Sequence, residues 1–199
     1  MRARALVLVS ASPRRAHLLR LAGLEFTVRP SEVEETPLPG ESPGVMAERL
    51  AVLKARALPP SGSPALAIAA DTVVAIGDAA LGKPSDPRDA RRMLGLLAGR
   101  THDVITALAL RALPEDTLTC ERALSRVTFA PMSADEIDWY VRTGEGMDKA
   151  GAYALQGIGA LFVRSIEGSY TNVIGLPLER LYPHLRRLGL LPASPRSGT

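Results

Sequence analysis

The chain has 199 residues, 46% of them hydrophobic and 23% charged, with a formal net charge of +3. That length and apolar content suit one domain with a buried core and exclude a disordered chain, which combines low hydrophobicity with high net charge. The longest apolar stretches, Ala5 to Val9 and Ala65 to Ala70, fall far short of the roughly 18 residues needed to span a bilayer, so no membrane association is expected. Met1 to Val9 joins two arginines to an apolar run. The run is too short for a secretory signal, and Pro13-Arg14-Arg15 stands where a small-residue cleavage site would lie. The single cysteine, Cys120, permits no internal disulfide and fits a reducing, cytoplasmic setting.

All but three of the 24 basic residues are arginine, the exceptions being Lys54, Lys83 and Lys149. The charges are dispersed and interleaved, and the aromatics amount to one Trp, four Tyr and three Phe. A nucleic-acid binder usually shows a basic patch with stacking aromatics. The composition therefore favours a small anionic ligand, or none, over a polyanion such as nucleic acid.

In chain order, Ala5 to Val9 reads as a buried strand. Ser12 followed by Pro13 caps a helix running to about Ala22, and Glu25 to Arg29 is a second strand. The polar, proline-rich Glu32 to Pro43 is a loop. Ser42-Pro43 then opens a helix to about Leu58, with Val45, Leu50, Leu53 and Leu58 as its apolar stripe. Leu66 to Ile76 is a second apolar strand, interrupted by Asp71, and Asp86-Pro87 starts a helix that ends at Gly99. Val104 to Leu110 and Leu118 to Phe129 form a strand pair joined near Pro114. Ser133 and Glu136 form a capping box for a helix that stops at Gly144. A glycine-dotted stretch, Gly144 to Gly175, holds a strand at Leu161 to Ile166. A last amphipathic helix spans Pro177 to Leu188, and 192–199 is expected to be a disordered tail. Strands and helices alternate early and antiparallel strands cluster in the middle. The fold class is α/β: a mixed, twisted sheet flanked by helices, with two lobes around a cleft in a single domain spanning 1–191.

Four constellations could carry chemistry. Ser10-Ala11-Ser12-Pro13-Arg14-Arg15 links a strand to a helix, where free amides, a positive dipole end and two guanidiniums make a polyphosphate site. Its plainer reading is a capped helix with two solvated arginines. Asp71, beside Thr72, is an acid within an apolar strand, near the C-terminal end where open α/β sheets place ligand groups. It could hold a divalent ion or take a proton from water; a strand-end Asp satisfied by backbone amides is the alternative. Lys54 and Lys83, taken singly, read as surface charges. The glycine-dotted Asp148 to Pro177 stretch allows close backbone approach, and Gln156 offers a donor and an acceptor for a base edge; an ordinary set of turns is the alternative. His17, His102 and His184 lack metal-ligand spacing, and Cys120 reads as a small core residue.

In their order and wording, these segments resemble the Maf family of nucleoside triphosphate pyrophosphatases over residues 5 to 188. The resemblance is carried by Ser10 to Arg15, Ala70 to Val74, Gly82-Lys83-Pro84, Asp148 to Tyr153, Gln156-Gly157, Gly168 to Tyr170 and Asn172 to Pro177. It implies hydrolysis of a nucleoside triphosphate to the monophosphate and pyrophosphate with a divalent cation, Mg²⁺ or Mn²⁺. The Asp148 to Tyr153 and Leu155-Gln156-Gly157 wording is similar to the branch acting on dTTP and UTP rather than on 7-methyl-GTP. By motif position, the resemblance makes Asp71 the catalytic acid–base residue and Arg14, Thr72 and Gln156 the determinants of substrate choice. Ser10, Arg15, Glu35, Lys54 and Lys83 match polar positions of the family's cleft, with Asp71 and Glu35 the candidate metal ligands. Gly146 stands where family members often carry proline, which would loosen the loop before Asp148. The resemblance also implies a homodimer, and the family's association with septum formation keeps a regulatory role in cell division as the alternative function.

Overall fold

The computed structural model describes residues 4–191; the expected tail, 192–199, lies outside the described residues. The elements follow one another as β1 (Ala5–Leu8), α1 (Pro13–Leu21), β2 (Thr27–Val28), α2 (Pro43–Arg56), β3 (Ala65–Ile76) and β4 (Ala79–Leu81). They continue with α3 (Pro87–Leu97), β5 (Thr101–Leu113), β6 (Thr117–Phe129), α4 (Ala134–Arg142), β7 (Val163–Glu167), α5 (Tyr170–Ile174) and α6 (Leu178–Leu188). Two short 3₁₀ turns, Ala150–Ala152 and Ile158–Phe162, precede β7.

The strands form one seven-stranded mixed sheet in the order β2-β1-β3-β5-β6-β7, with β4 paired to the end of β3. β1 runs parallel to β2 and β3, while β3, β5, β6 and β7 pair antiparallel. β3 is apolar on both faces because both are covered, as expected of a central strand. Leu66, Ile68 and Ala70 pack with Leu18, Leu19, Leu181 and Leu185 from α1 and α6. The alternate residues Ala65, Ala67 and Ala69 pack under α2. A third core lies at the far end, where Leu94 and Leu97 of α3 meet Val104, Val127 and Tyr140.

The expected mixed α/β sheet is present, with local corrections. α2 buries Ala47, Leu50, Ala51, Lys54 and Ala55, whereas Val45 and Leu53 are exposed. Half of the expected stripe is buried, Leu50 fully and Leu58 partly against the same core, while the rest of the inward face is alanine and Lys54. Small residues face the sheet because the helix lies close to an alanine-rich strand, and Gly44 has Arg122 Nη1 2.6 Å from where a Cβ would be. The Ser12 side chain makes no capping bond; instead Ser10 Oγ accepts the Ser12 N–H at 3.2 Å. The capping box of α4 is formed as expected, Ser133 Oγ accepting from Glu136 N at 3.2 Å and Glu136 Oε2 from Ser133 N at 2.7 Å. β4 and α5 are additions, too short to leave a periodic signal. At Gly146 close packing replaces the expected looseness: a Cβ there would stand 1.9 Å from the Ala152 carbonyl oxygen.

Candidate active site

β3 outruns its parallel neighbour. β1 pairs with it as far as Leu8 opposite Ile68, and β4 takes over only at Val74 opposite Leu81. Between them Asp71, Thr72 and Val73 lie on an edge with no neighbouring strand, and a cleft of about 660 Å³ opens there. Asp71 is therefore mid-strand rather than near a strand end, although it follows the C-terminal limit of the parallel pairing. Every candidate site residue read from the sequence lines this one cleft: Ser10, Arg14, Arg15, Glu35, Lys54, Asp71, Thr72, Lys83 and Gln156.

Alternation along β3 puts Asp71 and Thr72 on opposite faces of the sheet, so the edge is flanked by two different networks. On the α2 face, Lys54 follows Ala47, Leu50 and Ala51 at helical spacing and is turned inward, only 6% exposed. Its Nζ donates to Asp71 Oδ1 at 2.5 Å and to Glu35 Oε1 at 2.6 Å, and Lys83 Nζ donates to Glu35 Oε2 at 2.9 Å. The expectation of lysines as surface charges fails for Lys54. Desolvation pushes the Asp71 carboxyl above its ordinary range, against the pull of Lys54 and Arg15. Desolvation would also raise Glu35, but hydrogen bonds and charge from Lys54 and Lys83 together bring it down to about 2.

On the other face, Arg15 is braced by three bonds: Nε to Gly175 O at 2.7 Å, Nη1 to Ser10 Oγ at 3.1 Å and Nη2 to Thr72 Oγ1 at 3.2 Å. A guanidinium carries five N–H groups, so the Nη1 and Nη2 ends each keep one for a ligand. Burial lowers Arg15 from its ordinary value and Asp71 opposes the shift. Thr72 Oγ1 also lies 3.0 Å from Thr106 Oγ1, whose hydroxyl donates to Asn172 O at 3.0 Å. The N-terminus of α1 opens onto the cleft, bringing its positive dipole end and first-turn amides. Arg14 is held loosely, its Nη1 3.6 Å from Asp148 Oδ2.

Sequence reasoning gave no role to Glu145, Thr106 or Asn172, which do not line the cleft but hydrogen-bond to residues at or beside it. His102 is buried with Nε2 3.0 Å from the Tyr153 hydroxyl, and His184 Nε2 pairs with Glu121 at 2.7 Å. Cys120 is a half-buried free thiol pushed up to about 11, first by burial. Among the described residues, no cluster of three or more His, Cys, Asp or Glu could hold a metal ion, and no helix is long and apolar enough to cross a membrane.

A cation-rich cleft at the free edge of a strand, facing a helix N-terminus, defines an α/β protein that takes an anionic ligand. Comparison with known proteins makes this specific. The Maf-like protein family matches residues 5–188, and the chain belongs to that family. It is 48% identical over 186 residues to a dTTP/UTP pyrophosphatase of Geobacter sulfurreducens, covering 94% of this chain and 97% of that protein. It is 46% identical over 184 residues to a dTTP/UTP pyrophosphatase of Symbiobacterium thermophilum, covering 92% of this chain and 94% of the relative. Among solved structures, a HAM1 protein from Coxiella burnetii shares the fold at a TM-score of 0.53 and 19% identity, covering 92% of this chain and 99% of that one.

Proposed function

We propose that this chain hydrolyses dTTP and UTP to the nucleoside monophosphate and pyrophosphate. The observation that carries the reading is the arrangement at the β3 edge: a buried carboxylate, Asp71, with an ammonium on one side and a braced guanidinium, Arg15, across the edge. The names carried by the relatives of near-half identity support the same chemistry.

In this reading Asp71 orients a water and accepts its proton as the water oxygen attacks the α-phosphorus. The bond from that phosphorus to the α,β-bridging oxygen breaks, and pyrophosphate departs. Arg14, Arg15, Lys83 and the α1 amides receive the charge of the polyphosphate, which is where preplaced cations lower the barrier. Burial raises Asp71, which suits a base working near neutral pH, while Glu35 at about 2 remains ionised throughout. Thr72 and Gln156 contact the pyrimidine edge, where an unpaired buried donor or acceptor penalises the wrong base.

The donor set fits a divalent cation. Glu35 and Asp71 converge on one cationic centre, Lys54 Nζ, and Mg²⁺ is commonly held by one or two carboxylates together with substrate phosphates. Glu35, which stays ionised, would hold it together with the substrate phosphates and leave Asp71 as the base, and it would supply neutralisation of phosphate charge.

The test is pyrophosphate release from dTTP, UTP, CTP, GTP and 7-methyl-GTP, with Mg²⁺ or Mn²⁺ and after chelation. Turnover is expected to favour dTTP and UTP, to vanish on chelation, and to fall roughly 10³-fold in Asp71→Asn. Undiminished turnover in a folded Asp71→Asn protein, or no turnover of any nucleotide by the wild type, would overturn the reading.

A further inference from the structure

Gln156 is exposed and sits in a stretch, 154–159, that belongs to no strand. A side chain that reads a base must nevertheless be held to within about half an ångström. The fastening comes from Glu145. Its Oε1 accepts the Ile158 N–H at 2.8 Å, and its Oε2 accepts the Gly159 N–H at 2.9 Å and the Tyr140 hydroxyl at 2.7 Å. The same Tyr140 hydroxyl accepts the Ala154 N–H at 3.1 Å. The stretch is thus pinned two residues before Gln156 and two and three residues after it.

The packing agrees. A Cβ on Gly157 would stand 2.0 Å from Glu145 Oε1, so the turn closes onto the carboxylate only with glycine there. Desolvation would raise Glu145, but the Gly159 and Ile158 amides and Tyr140 outweigh it and hold the carboxyl below its usual range. The Glu145 main chain ties in further residues of the cleft lining. Its carbonyl accepts Lys149 Nζ at 2.5 Å, and that ammonium also holds Asp148 Oδ1 at 2.5 Å, with Arg14 3.6 Å beyond.

We infer that Glu145 is a positioning residue for base selection: its carboxylate fixes the turn that presents Gln156, while its carbonyl anchors the Lys149–Asp148 pair beside Arg14. This rests on the pyrimidine-nucleotide reading above. Glu145→Gln replaces one acceptor with an NH₂ group facing a backbone N–H, so the clasp opens. Gly157→Ala displaces the carboxylate without altering its charge.

The experiment measures kcat/KM for UTP and GTP on the wild type, Glu145→Gln, Gly157→Ala, Gln156→Ala and the Glu145→Gln/Gln156→Ala double variant. Calorimetric binding of both nucleotides is measured on the same proteins in an Asp71→Asn background. We expect either clasp variant to lower the UTP-to-GTP preference about tenfold, the scale of one lost hydrogen bond, chiefly through KM. In the Gln156→Ala background Glu145→Gln should change the preference no further. An unchanged preference in both clasp variants, or independent losses that multiply in the double variant, would overturn the inference. A purely structural role would lower kcat for both nucleotides alike and leave the preference intact. If the wild type binds UTP selectively but does not hydrolyse it, the catalytic reading fails and the binding cycle still decides the clasp. If it binds neither nucleotide, both readings fall.

Discussion

Lys54 Nζ lies 2.5 Å from Asp71 Oδ1, one ammonium on a buried helix face meeting one carboxylate on a free strand edge. The contact is one link of an alternating chain, Lys83–Glu35–Lys54–Asp71, that runs from the exposed rim of the cleft to its floor. The chain gives its two carboxylates different characters. Glu35, with an ammonium on each oxygen, is held at about 2, while burial dominates at Asp71 and raises it. Carboxylates pushed apart in this way can divide the work, one permanently charged and the other exchanging a proton.

Lys54→Met tests that division. Without the ammonium, burial of Asp71 is opposed only by the more distant Arg15, so its pKa rises further. The basic form then appears only at higher pH, and the acid limb of kcat/KM moves to higher pH with it. A pH–rate profile of dTTP hydrolysis measures this. An acid limb that stays in place would mean that Asp71 does not titrate in the rate.

How much of this was legible in the sequence depends on what each feature needs. The sheet and most helices were readable because apolar runs and cap-and-proline signals are local, whereas Glu35, Lys54 and Lys83 came forward only through the family resemblance, having no local signal of their own. The inward turn of Lys54 was not readable, because alanines at 47, 51 and 55 hide the buried face from a reader who seeks large aliphatics. Glu145 carried no signal either, since its partners Ile158 and Gly159 come more than a dozen residues later and meet it through backbone amides, which have no residue type. α5 was lost among glycines because five residues are too few to show a period.

Arg111, on β5, is 5% exposed and closes the C-terminus of α2, the helix that carries Lys54. Its Nη1 donates to Leu58 O at 2.7 Å and Arg56 O at 3.3 Å, and its Nε to Asp116 Oδ1 at 2.5 Å. Arg111→Leu leaves these carbonyls without a donor and should destabilise the fold by about 3 kcal/mol, read from the urea midpoint. Asp116→Ala, which removes only the exposed partner, should cost less than about 1 kcal/mol. Equal costs for the two would show that the ion pair, rather than the helix end, is what Arg111 serves.

Thr106 has one hydroxyl proton and gives it to Asn172 O, so the proton between Thr72 and Thr106 comes from Thr72. Thr72 then faces the cleft with lone pairs alone, one of them taken by Arg15. A uracil or thymine ring offers an N3–H to such an acceptor, whereas the cytosine N3 is itself an acceptor. Thr106→Val frees the Thr72 proton, so discrimination against CTP should narrow several-fold, with a stability loss of roughly 1 kcal/mol. Thr106→Ser should restore both. Competition kinetics with UTP and CTP check it, and an unaltered ratio in Thr106→Val would show that Thr72 donates to substrate in the wild type as well.

His102 sets a pH limit on the fold that is separate from the cleft carboxylates. It is 2% exposed, packs edge-on to Phe129 and Tyr153, and has no hydrogen-bond partner at Nδ1. Burial lowers it from 6.5 to about 4. Between those values the unfolded chain binds a proton that the folded chain refuses, so stability falls as pH drops from about 6.5 and levels off below about 4. The full loss is about 3 kcal/mol at 1.36 kcal/mol per unit. Glu35 acts in the same direction but in a lower window: its stabilisation is complete above 4.5 and disappears as pH falls toward about 2. Urea unfolding of the wild type at pH 7, 5.5 and 4.5 should therefore show a decline that His102→Phe flattens and Glu35→Gln does not. A decline that persists unchanged in His102→Phe would place the acid sensitivity elsewhere in the fold.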